Sequence, residues 1–433
     1  MGIKQALHVA TVTSLVTALT LIPAATASAD QVRDAQWPLK FLDAESAWEV
    51  SEGEGVTIAV IDDGFETDHP DLKENLLKGK DFIDGGDVNP SDGDNHGTAM
   101  ASIIAAHGHG PGRSQGMKGL APEAKILPIR YSLQDSLADP IRYAVDQGAT
   151  VINISLGSSA SDNEEKEAVE YALENDVLIV TASGNEGNSS IGYPGGYPGT
   201  LTVGATGEDG EVWENSNHGA EVLLTAPGVE VVTAGSSTPY RKGDGTSDAS
   251  AYTSAAAGLI RAKYPDLTAG QVVNRLVKTA GLPDSAKGIP LPDEKYGYGY
   301  IRPLAALTED IPEGSKYGPL KVPDSLQSPS PGAGSGDDNS SDSGAGSSNT
   351  LKRILVFVVA PVLLLLVIGL VIFAVARSSR RKKRSAPVGV GWGEGPQAQQ
   401  PPYGQPMPPG NAGGFPPQQQ GPNQNQPSGP WGP

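Results

Sequence analysis

The sequence predicts a three-layer α/β domain with a mostly parallel central sheet over residues 30–310. Apolar, β-branched runs of strand length recur along this region, and helical patterns with apolar stripes lie between several of them. Near-continuous apolar strands that alternate with helices are typical of a parallel sheet covered on both faces. Functional sites in such sheets lie at the carboxyl ends of the strands, so polar residues directly after strands are the candidates.

The strand segments are residues 55–62, 125–132, 150–157, 177–184, 199–206 and 222–228. Pro128 indicates an edge position or an interruption, because proline has no backbone N–H to donate. Three helices carry start signals. These signals are Asp139 before Pro140, a capping box of Ser161 with Glu164, and a second capping box of Thr268 with Gln271.

Both ends of the chain carry segments of another kind. Residues 1–29 resemble a cleaved signal peptide: Lys4, an apolar stretch and the small-x-small signal "ASA" at 27–29. A membrane anchor is the alternative, although the stretch is short and rich in threonine for a span. Residues 354–376 contain no charge and would span about 34 Å as a helix, which predicts a transmembrane helix.

The charges beside this span predict its orientation. Residues 377–384 are densely basic, and the denser basic side of a span stays in the cytoplasm. We therefore expect a single-pass protein of the cell membrane, with residues 30–353 outside. Residues 311–353 form a Ser/Gly/Asp-rich linker that we expect to be disordered. The Pro/Gln/Gly-rich tail, within 377–433, is either an unstructured segment or a Pro-rich binding segment.

Composition excludes some classes of protein. The chain has no cysteine, so an exported domain must be stabilised by its core rather than by disulfides. The formal net charge is −19 although the basic residues cluster beside the span, so the outer part is strongly acidic. This charge argues against nucleic acid as a partner.

The stretch "GDGTSDASAYTSAAAG" at residues 243–258 suits a nucleophilic serine at a helix start, Ser247. A serine hydroxyl needs a general base, usually histidine, which a carboxylate orients. Of six histidines, His96 in "DNHGTAMASIIAA" follows a polar loop and begins a helix of small residues. His107 and His109 form a Gly-rich "HGHG" turn, and no ligand cluster accompanies them to indicate a metal.

The orienting carboxylate should end a buried strand. Asp62 follows the run "VTIAVI" and is favoured over Asp63, the alternative. Acyl transfer also needs donors for an oxyanion. Asn185 in "TASGNEG" could supply them together with the backbone N–H of Ser247, although this segment alone could equally be a plain turn.

The four motifs "VIDDG", "HGTAMAS", "SGNEG" and "GTSDAS" stand in the order Asp, His, Asn, Ser, and in this the chain resembles the subtilisin-like serine peptidases over about residues 35–305. The resemblance implies a serine endopeptidase with polypeptide substrates and no required cofactor. It implies the triad Asp62, His96 and Ser247, with Asn185 in the oxyanion hole. It also implies a set of substrate-binding residues: Ser155, Leu156 and Gly157, which would pair with an extended substrate, and Ser183, Gly184 and Gly192, which would line the specificity pocket. Because Gly192 would leave volume there, we expect a pocket for medium or large apolar side chains.

The layout narrows the resemblance to the mycosins, membrane-anchored peptidases associated with type VII secretion. A short extension at 30–48 precedes the domain, and a single span with a basic stop follows it. The resemblance implies type VII secretion membrane components as partners. The absence of cysteine pairs and of a longer folding propeptide departs from those relatives. Structural calcium stays open, because Asp71 matches a ligand position in some relatives but the loop at 105–116 is not recognisable.

Asp248 places a negative charge directly after the candidate nucleophile. We expect it to lie at an exposed helix start, pointing away from the site, where it would stabilise the helix dipole by roughly 0.3–1 kcal/mol. If it points into the site instead, it would oppose the oxyanion. The alternative to an active peptidase is a weak or inactive peptidase-fold scaffold that stabilises a secretion complex.

Overall fold

A computed structural model of the chain describes residues 30–89 and 96–327. The predicted signal peptide, the span at 354–376, the basic segment and the tail lie outside the described residues. Within the described residues, no helix has both the length and the apolar character needed to cross a membrane.

The described chain forms a parallel sheet of seven strands and two antiparallel hairpins. The sheet has the order β2-β5-β1-β6-β7-β8-β9, and β3–β4 and β10–β11 are the hairpins. In chain order the strands are β1 (Thr57–Asp62), β2 (Lys80–Asp81), β3 (His107–His109), β4 (Gln115–Lys118), β5 (Lys125–Arg130), β6 (Val151–Ile154), β7 (Leu178–Ala182), β8 (Thr200–Thr206), β9 (Val222–Pro227), β10 (Val231–Ala234) and β11 (Tyr240–Gly243). The predicted α/β class with a mostly parallel sheet is confirmed.

Helices cover both faces of the sheet. They are α1 (Asp30–Asp34), α2 (Trp37–Phe41), α3 (Ala44–Trp48), α4 (His96–Ala105), α5 (Ala138–Asp146), α6 (Asn163–Glu174), α7 (Thr246–Lys263), α8 (Ala269–Lys278) and α9 (Pro303–Thr308). Strand β1 shows the two-sided burial: Ile58 and Val60 belong to the core beneath α4, α7 and α8, and Ala59 and Ile61 to the core beneath α5 and α6. Successive side chains of a strand alternate between faces, so a strand buried on both must be apolar throughout.

Two of the three predicted helix starts are wrong by one or two residues. Helix α5 begins at Ala138, so Asp139 lies inside its first turn rather than at the N-cap. Helix α6 is capped by Asp162, whose carboxylate accepts hydrogen bonds from two backbone N–H groups, and not by Ser161. A carboxylate is also the better cap for the positive end of the helix dipole. The capping box of Thr268 with Gln271 is confirmed.

Pro128 neither ends strand β5 nor lies in an edge strand, because it pairs with Val60 of β1 and β2 lies beyond it. The neighbouring β2 is only two residues long and pairs with Ile129 and Arg130, so it needs no hydrogen bond from residue 128. The "HGHG" segment is also not a simple turn, since His107–His109 forms β3 and pairs with β4.

The ordered chain continues past the predicted boundary at residue 310. Leu320 is buried in the core, and the carbonyl of Lys316 accepts a hydrogen bond from the Thr268 hydroxyl at the start of α8. Residues 311–327 therefore pack against the domain, whereas the sequence places them in the disordered linker.

The N-terminal extension binds the domain through its side chains. Gln36 pairs with both backbone groups of Lys118 in β4, and Trp37 Nε1 donates to the carbonyl of Val229 at 3.1 Å. Arg33 Nε donates to the carbonyl of Gly116. These contacts fasten α1 and α2 to the β3–β4 hairpin and to the turn before β10.

Candidate active site

Asp62 and His96 meet at the carboxyl end of β1. Asp62 is the last residue of the strand and is fully buried, and His96 is the first residue of α4. Both carboxylate oxygens of Asp62 lie 3.0 Å from His96 Nδ1. Asp63 has a different role, since its carboxylate accepts a hydrogen bond from the backbone N–H of Gly97 at the start of α4. The structure thus brings Asp62, and not Asp63, to the imidazole.

The surroundings of His96 favour its charged form. Burial acts to lower the pKa of the imidazole, but the charge and hydrogen bond of Asp62, with the charges of Asp248 and Asp63, raise it to about 9. The pKa of Asp63 is raised to about 6, chiefly by burial and also by the neighbouring Asp62 charge. The site therefore stabilises an imidazolium, the form that a general base takes after it has accepted a proton.

Ser247 is the second residue of α7 and is partly exposed. Helices α4 and α7 pack against each other, which brings the starts of both helices to the same edge of the sheet. The Ser247 hydroxyl donates to the carbonyl of Ser155 at 3.2 Å, and within the described residues it makes no hydrogen bond to His96. Serine–histidine bonds in unliganded sites are often loose, so this geometry is compatible with a nucleophile at rest.

Asn185 is held with its amide donors free to face the site. Its Oδ1 accepts hydrogen bonds from the backbone N–H and the hydroxyl of Thr246, at 2.9 and 2.8 Å. A Cβ placed on Gly245 would lie 3.8 Å from Asn185 Nδ2 and 3.6 Å from the backbone nitrogen of Ser247. The Asn185 amide and the Ser247 backbone nitrogen therefore lie near each other beside the Ser247 side chain, on the side where the predicted oxyanion hole would be.

A cavity of about 380 Å³ opens beside Ser247. All the sequence-predicted substrate-binding residues lie in its wall, namely Ser155, Leu156, Gly157, Ser183, Gly184 and Gly192, together with Asn185 and Ser247. At Gly184, φ is +110° and a Cβ would lie 2.3 Å from Asn217 Nδ2, so only glycine fits this turn.

Gly192 does not have the role that the sequence predicts, which is to leave volume in the specificity pocket. A Cβ there would lie 3.0 Å from the carbonyl oxygen of Ser158, so glycine allows a close approach of two backbones rather than leaving volume in the cavity. Next to it, Tyr193 and Ser158 exchange two backbone hydrogen bonds. Sequence reasoning also missed Glu186 and Asn217 in the cavity wall, where Asn217 Nδ2 donates to Glu186 at 2.6 Å. Glu186 stands inside the quoted "SGNEG" motif, but nothing in the sequence pairs it with Asn217.

Asp248 lies in the first turn of α7, as expected, but it is buried, with 6% of its surface exposed, so the expected exposed position is wrong. Helix α7 lies within the core along nearly its whole length, which covers even its first turn. Burial raises the pKa of Asp248 to about 7, against the opposing effect of the charges of His96 and Arg241. Its charge acts on His96, so Asp248 belongs electrostatically to the site.

Asp71, the residue considered for calcium, has protein partners. Its carboxylate accepts hydrogen bonds from the backbone N–H of Met117 at 3.0 Å and the hydroxyl of Tyr240 at 2.8 Å, and it binds His109 Nδ1 at 2.5 Å. Within the described residues, no group of three or more His, Asp or Glu side chains is arranged to hold a metal ion.

The model of the subtilase family, Peptidase S8, matches residues 53–299, more than half of the chain. The chain belongs to the subtilase family. This subtilase is 35% identical to thermitase from Thermoactinomyces vulgaris over 225 residues, which cover 51% of the chain and 79% of thermitase. It is 36% identical to subtilisin DY from Bacillus licheniformis over 239 residues, which cover 53% of the chain and 85% of that enzyme. It is accordingly a serine endopeptidase.

Solved structures similar to this subtilase include mycosin proteases. A crystal structure of MycP1 from Mycobacterium smegmatis matches with a TM-score of 0.56 at 30% identity, covering 66% of this chain and 88% of that one. The MycP3 protease from the type VII (ESX-3) secretion system matches with a TM-score of 0.54 at 33% identity, covering 63% and 88%. The resemblance to subtilisin-like peptidases and to mycosins is confirmed.

Proposed function

We propose that this subtilase is a membrane-anchored endopeptidase that cleaves polypeptides outside the cytoplasm with the triad Asp62, His96 and Ser247. The observation that carries the proposal is the Asp62–His96 pair at 3.0 Å, beside a cavity whose wall contains Ser247 and Asn185. A buried carboxylate on Nδ1 fixes the imidazole so that Nε2 is the nitrogen available for proton transfer.

The reaction begins when the Ser247 hydroxyl leaves the Ser155 carbonyl and turns to His96. His96 accepts the hydroxyl proton as Ser247 Oγ attacks the scissile carbonyl carbon, and Asp62 stabilises the imidazolium that forms. The oxyanion receives hydrogen bonds from Asn185 Nδ2 and from the backbone N–H of Ser247. Thr246 supports this step by occupying Asn185 Oδ1, which leaves the amide N–H groups as the side facing the oxyanion.

Collapse of the tetrahedral intermediate completes acylation. The C–N bond breaks, and His96 gives its proton to the leaving amine. Water then attacks the acyl-enzyme with His96 again as base, which releases the carboxylic acid and restores Ser247. The substrate would add as a strand beside Ser155 and Gly157, with one side chain in the cavity.

The membrane arrangement and the secretion link rest on the sequence and on the mycosin neighbours. The sequence supports this arrangement, because a predicted linker and a predicted span at 354–376 precede a basic segment from 377, and the basic side of a span stays in the cytoplasm. MycP3 is a protease of a type VII secretion system, and we propose that this subtilase acts beside such a membrane complex.

A fluorophosphonate probe tests the catalytic proposal, because it reacts covalently with an activated serine. We expect the purified full-length protein to be labelled, and Ser247→Ala to lose the label while it keeps the wild-type melting temperature. Ser114→Ala, which removes an exposed serine hydroxyl on the turn after β3, should be labelled like the wild type. A folded wild-type protein that takes no label would favour the scaffold function.

Membrane orientation is testable because the natural chain has no cysteine. Ser340→Cys should react with a membrane-impermeant maleimide on intact cells, since residue 340 lies in the outer linker. Gln400→Cys, in the tail, should react only after the cells are permeabilised. The reverse pattern would overturn the proposed orientation.

A further inference from the structure

A cluster of buried polar side chains joins the middle of the sheet to α7. Asn153 lies in β6, the central strand, and is fully buried, as are Ser250 and Ser254 on the helix. Asn153 Nδ2 donates hydrogen bonds to both serine hydroxyls, each at 3.1 Å. Apolar residues of the same size would fill this space without the risk of unpaired polar atoms, which cost about 1–3 kcal/mol each.

The number of N–H and O–H donors in this cluster determines which group donates each hydrogen bond. The amide of Asn153 has two N–H donors, and one goes to each serine, so each serine keeps its own proton for another acceptor. The Ser250 hydroxyl donates to the backbone carbonyl of Ser247 at 2.9 Å. The Ser254 hydroxyl donates to the carbonyl of Ser250 at 2.9 Å. The hydrogen bonds through Ser250 therefore reach the backbone of Ser247, the proposed nucleophile. Those through Ser254 end at the carbonyl of Ser250, one turn further along α7.

Ser155 closes the cluster on the substrate side. Its hydroxyl lies 2.7 Å from Ser250 Oγ, 3.1 Å from Asn153 Oδ1 and 3.3 Å from the carbonyl of Ser247. The backbone carbonyl of Ser155 accepts a hydrogen bond from the Ser247 hydroxyl. The residue that begins the proposed substrate-binding segment thus contacts the nucleophile through both its side chain and its backbone.

We propose that Asn153 and Ser250 are positioning residues: they hold the backbone of Ser247 at a fixed distance from the substrate-binding segment at Ser155. Ser247 lies in the first turn of α7, where no preceding helical turn holds the backbone in place. The cluster supplies that support by tying the Ser247 carbonyl to the central strand. A displacement of about 1 Å at a reacting atom can cost roughly 100-fold in rate, so such support matters for acylation. The inference rests on the proposed role of Ser247 as nucleophile.

Ser250→Ala and Ser254→Ala form a matched pair for the test. Each removes one buried hydroxyl that accepts from Asn153 and donates to a carbonyl of α7, but only Ser250 contacts Ser247. In the full-length protein we expect Ser250→Ala to lower kcat and the rate of fluorophosphonate inactivation about tenfold, with KM within about twofold. Ser254→Ala should leave all three within about twofold, with a loss of melting temperature similar to that of Ser250→Ala.

Rescue and a second variant complete the test. Ser250→Thr keeps the hydroxyl and should restore most of the inactivation rate. If Ser250→Ala does not fold, Ser155→Ala replaces it, since it removes the hydroxyl that bonds Asn153, Ser250 and the Ser247 carbonyl, and a similar loss is expected. Equal rates in folded Ser250→Ala and Ser254→Ala, or a wild-type rate in Ser155→Ala, overturn the positioning role. Reaction of the probe with Ser247→Ala would instead overturn the proposed triad.

Discussion

Two buried aspartates in this molecule each bind the Nδ1 atom of a histidine, and they differ in their other partners. Asp62 binds His96, and its further hydrogen bond comes from the backbone N–H of the next residue, Asp63. Asp71 binds His109, and its second oxygen accepts from Met117 and Tyr240. Both carboxylates are fully buried, so burial does not distinguish them.

The difference lies in what each pair connects. Asp71 joins segments that are far apart in the chain, namely the β3–β4 hairpin and the start of β11. Asp62 joins only the end of β1 to the start of α4, beside the cavity that contains Ser247. A buried carboxylate–imidazole pair is therefore not catalytic in itself. Asp62 lies at the carboxyl end of a strand, next to helix α7 with the proposed nucleophile, and this place suits its proposed catalytic role. Asp71 has more partners, which suits a role in stability.

The largest expected effect separates the two pairs by activity. Asp62→Asn should lower kcat about 10⁴-fold, because the amide can no longer hold the Nδ1–H tautomer or stabilise the imidazolium. Its free energy of unfolding should change by only about 1 kcal/mol, since the amide oxygen still accepts from Asp63. Peptide hydrolysis measures kcat, and denaturant unfolding of the same preparation measures the free energy of unfolding. A folded variant that keeps more than about a hundredth of kcat would remove Asp62 from the mechanism.

The second prediction concerns stability. Asp71→Asn turns one of the two buried carboxylate oxygens into an amide N–H₂. Either the oxygen shared by the Met117 N–H and the Tyr240 hydroxyl is lost as an acceptor, or the oxygen that binds His109 Nδ1 is lost. We expect the free energy of unfolding to fall by about 1–3 kcal/mol, with kcat within about twofold of the wild type. Tyr240→Phe removes one donor and leaves the carboxylate intact, so it should cost about 1 kcal/mol. A loss of kcat in Asp71→Asn as large as that in Asp62→Asn would contradict the distinction between the two pairs.

The smallest effect is on pH dependence and concerns Asp248, a further acid near His96. In the proposed mechanism the free imidazole of His96 is the base, and the pKa of His96 is raised to about 9, chiefly by Asp62 and also by the Asp248 charge. Asp248→Asn should therefore move the acid limb of kcat/KM to lower pH, by up to about one unit. Asp244→Asn removes an exposed acid nearby and should move it much less. An unchanged acid limb in Asp248→Asn would show that its charge does not reach His96.

The same variant has a signature in stability. The pKa of Asp248 is about 7 in the folded protein, above its ordinary value near 4, so its ionisation favours unfolding. The wild type should lose stability as pH rises between these values, whereas Asp248→Asn lacks this loss. The advantage of the variant in melting temperature should therefore grow from about pH 4 to about pH 7 and then level off.

Local patterns in the sequence predict much of the fold and the site. Asp62, His96, Asn185 and Ser247 each lie at or just past the end of a strand or at a helix start, where short motifs are read without knowledge of the packing. The parallel sheet also follows from local signals, since β1 is apolar on both faces. These features depend on neighbours in the sequence.

Features that depend on distant neighbours were not predictable. The partners of Asp71 come from residues 38 to 169 positions away, and no motif joins them. The burial of Asp248 is a second case. Helix α7 is built from small residues and is buried on nearly all sides, so its sequence has no polar face that would mark one residue as exposed or covered.

Side-chain hydrogen bonds from the N-terminal extension to the domain go largely to backbone atoms. Gln36 bonds the amide and carbonyl of residue 118, Trp37 the carbonyl of residue 229, and Trp48 the carbonyl of residue 120. A substitution at any of these receiving positions changes a side chain but leaves the carbonyl in place. These hydrogen bonds therefore tolerate most side-chain changes in the surface that receives them, whereas the stacking of Phe41 on Tyr300 and of the Lys118 ammonium on Trp48 depends on side chains from both partners.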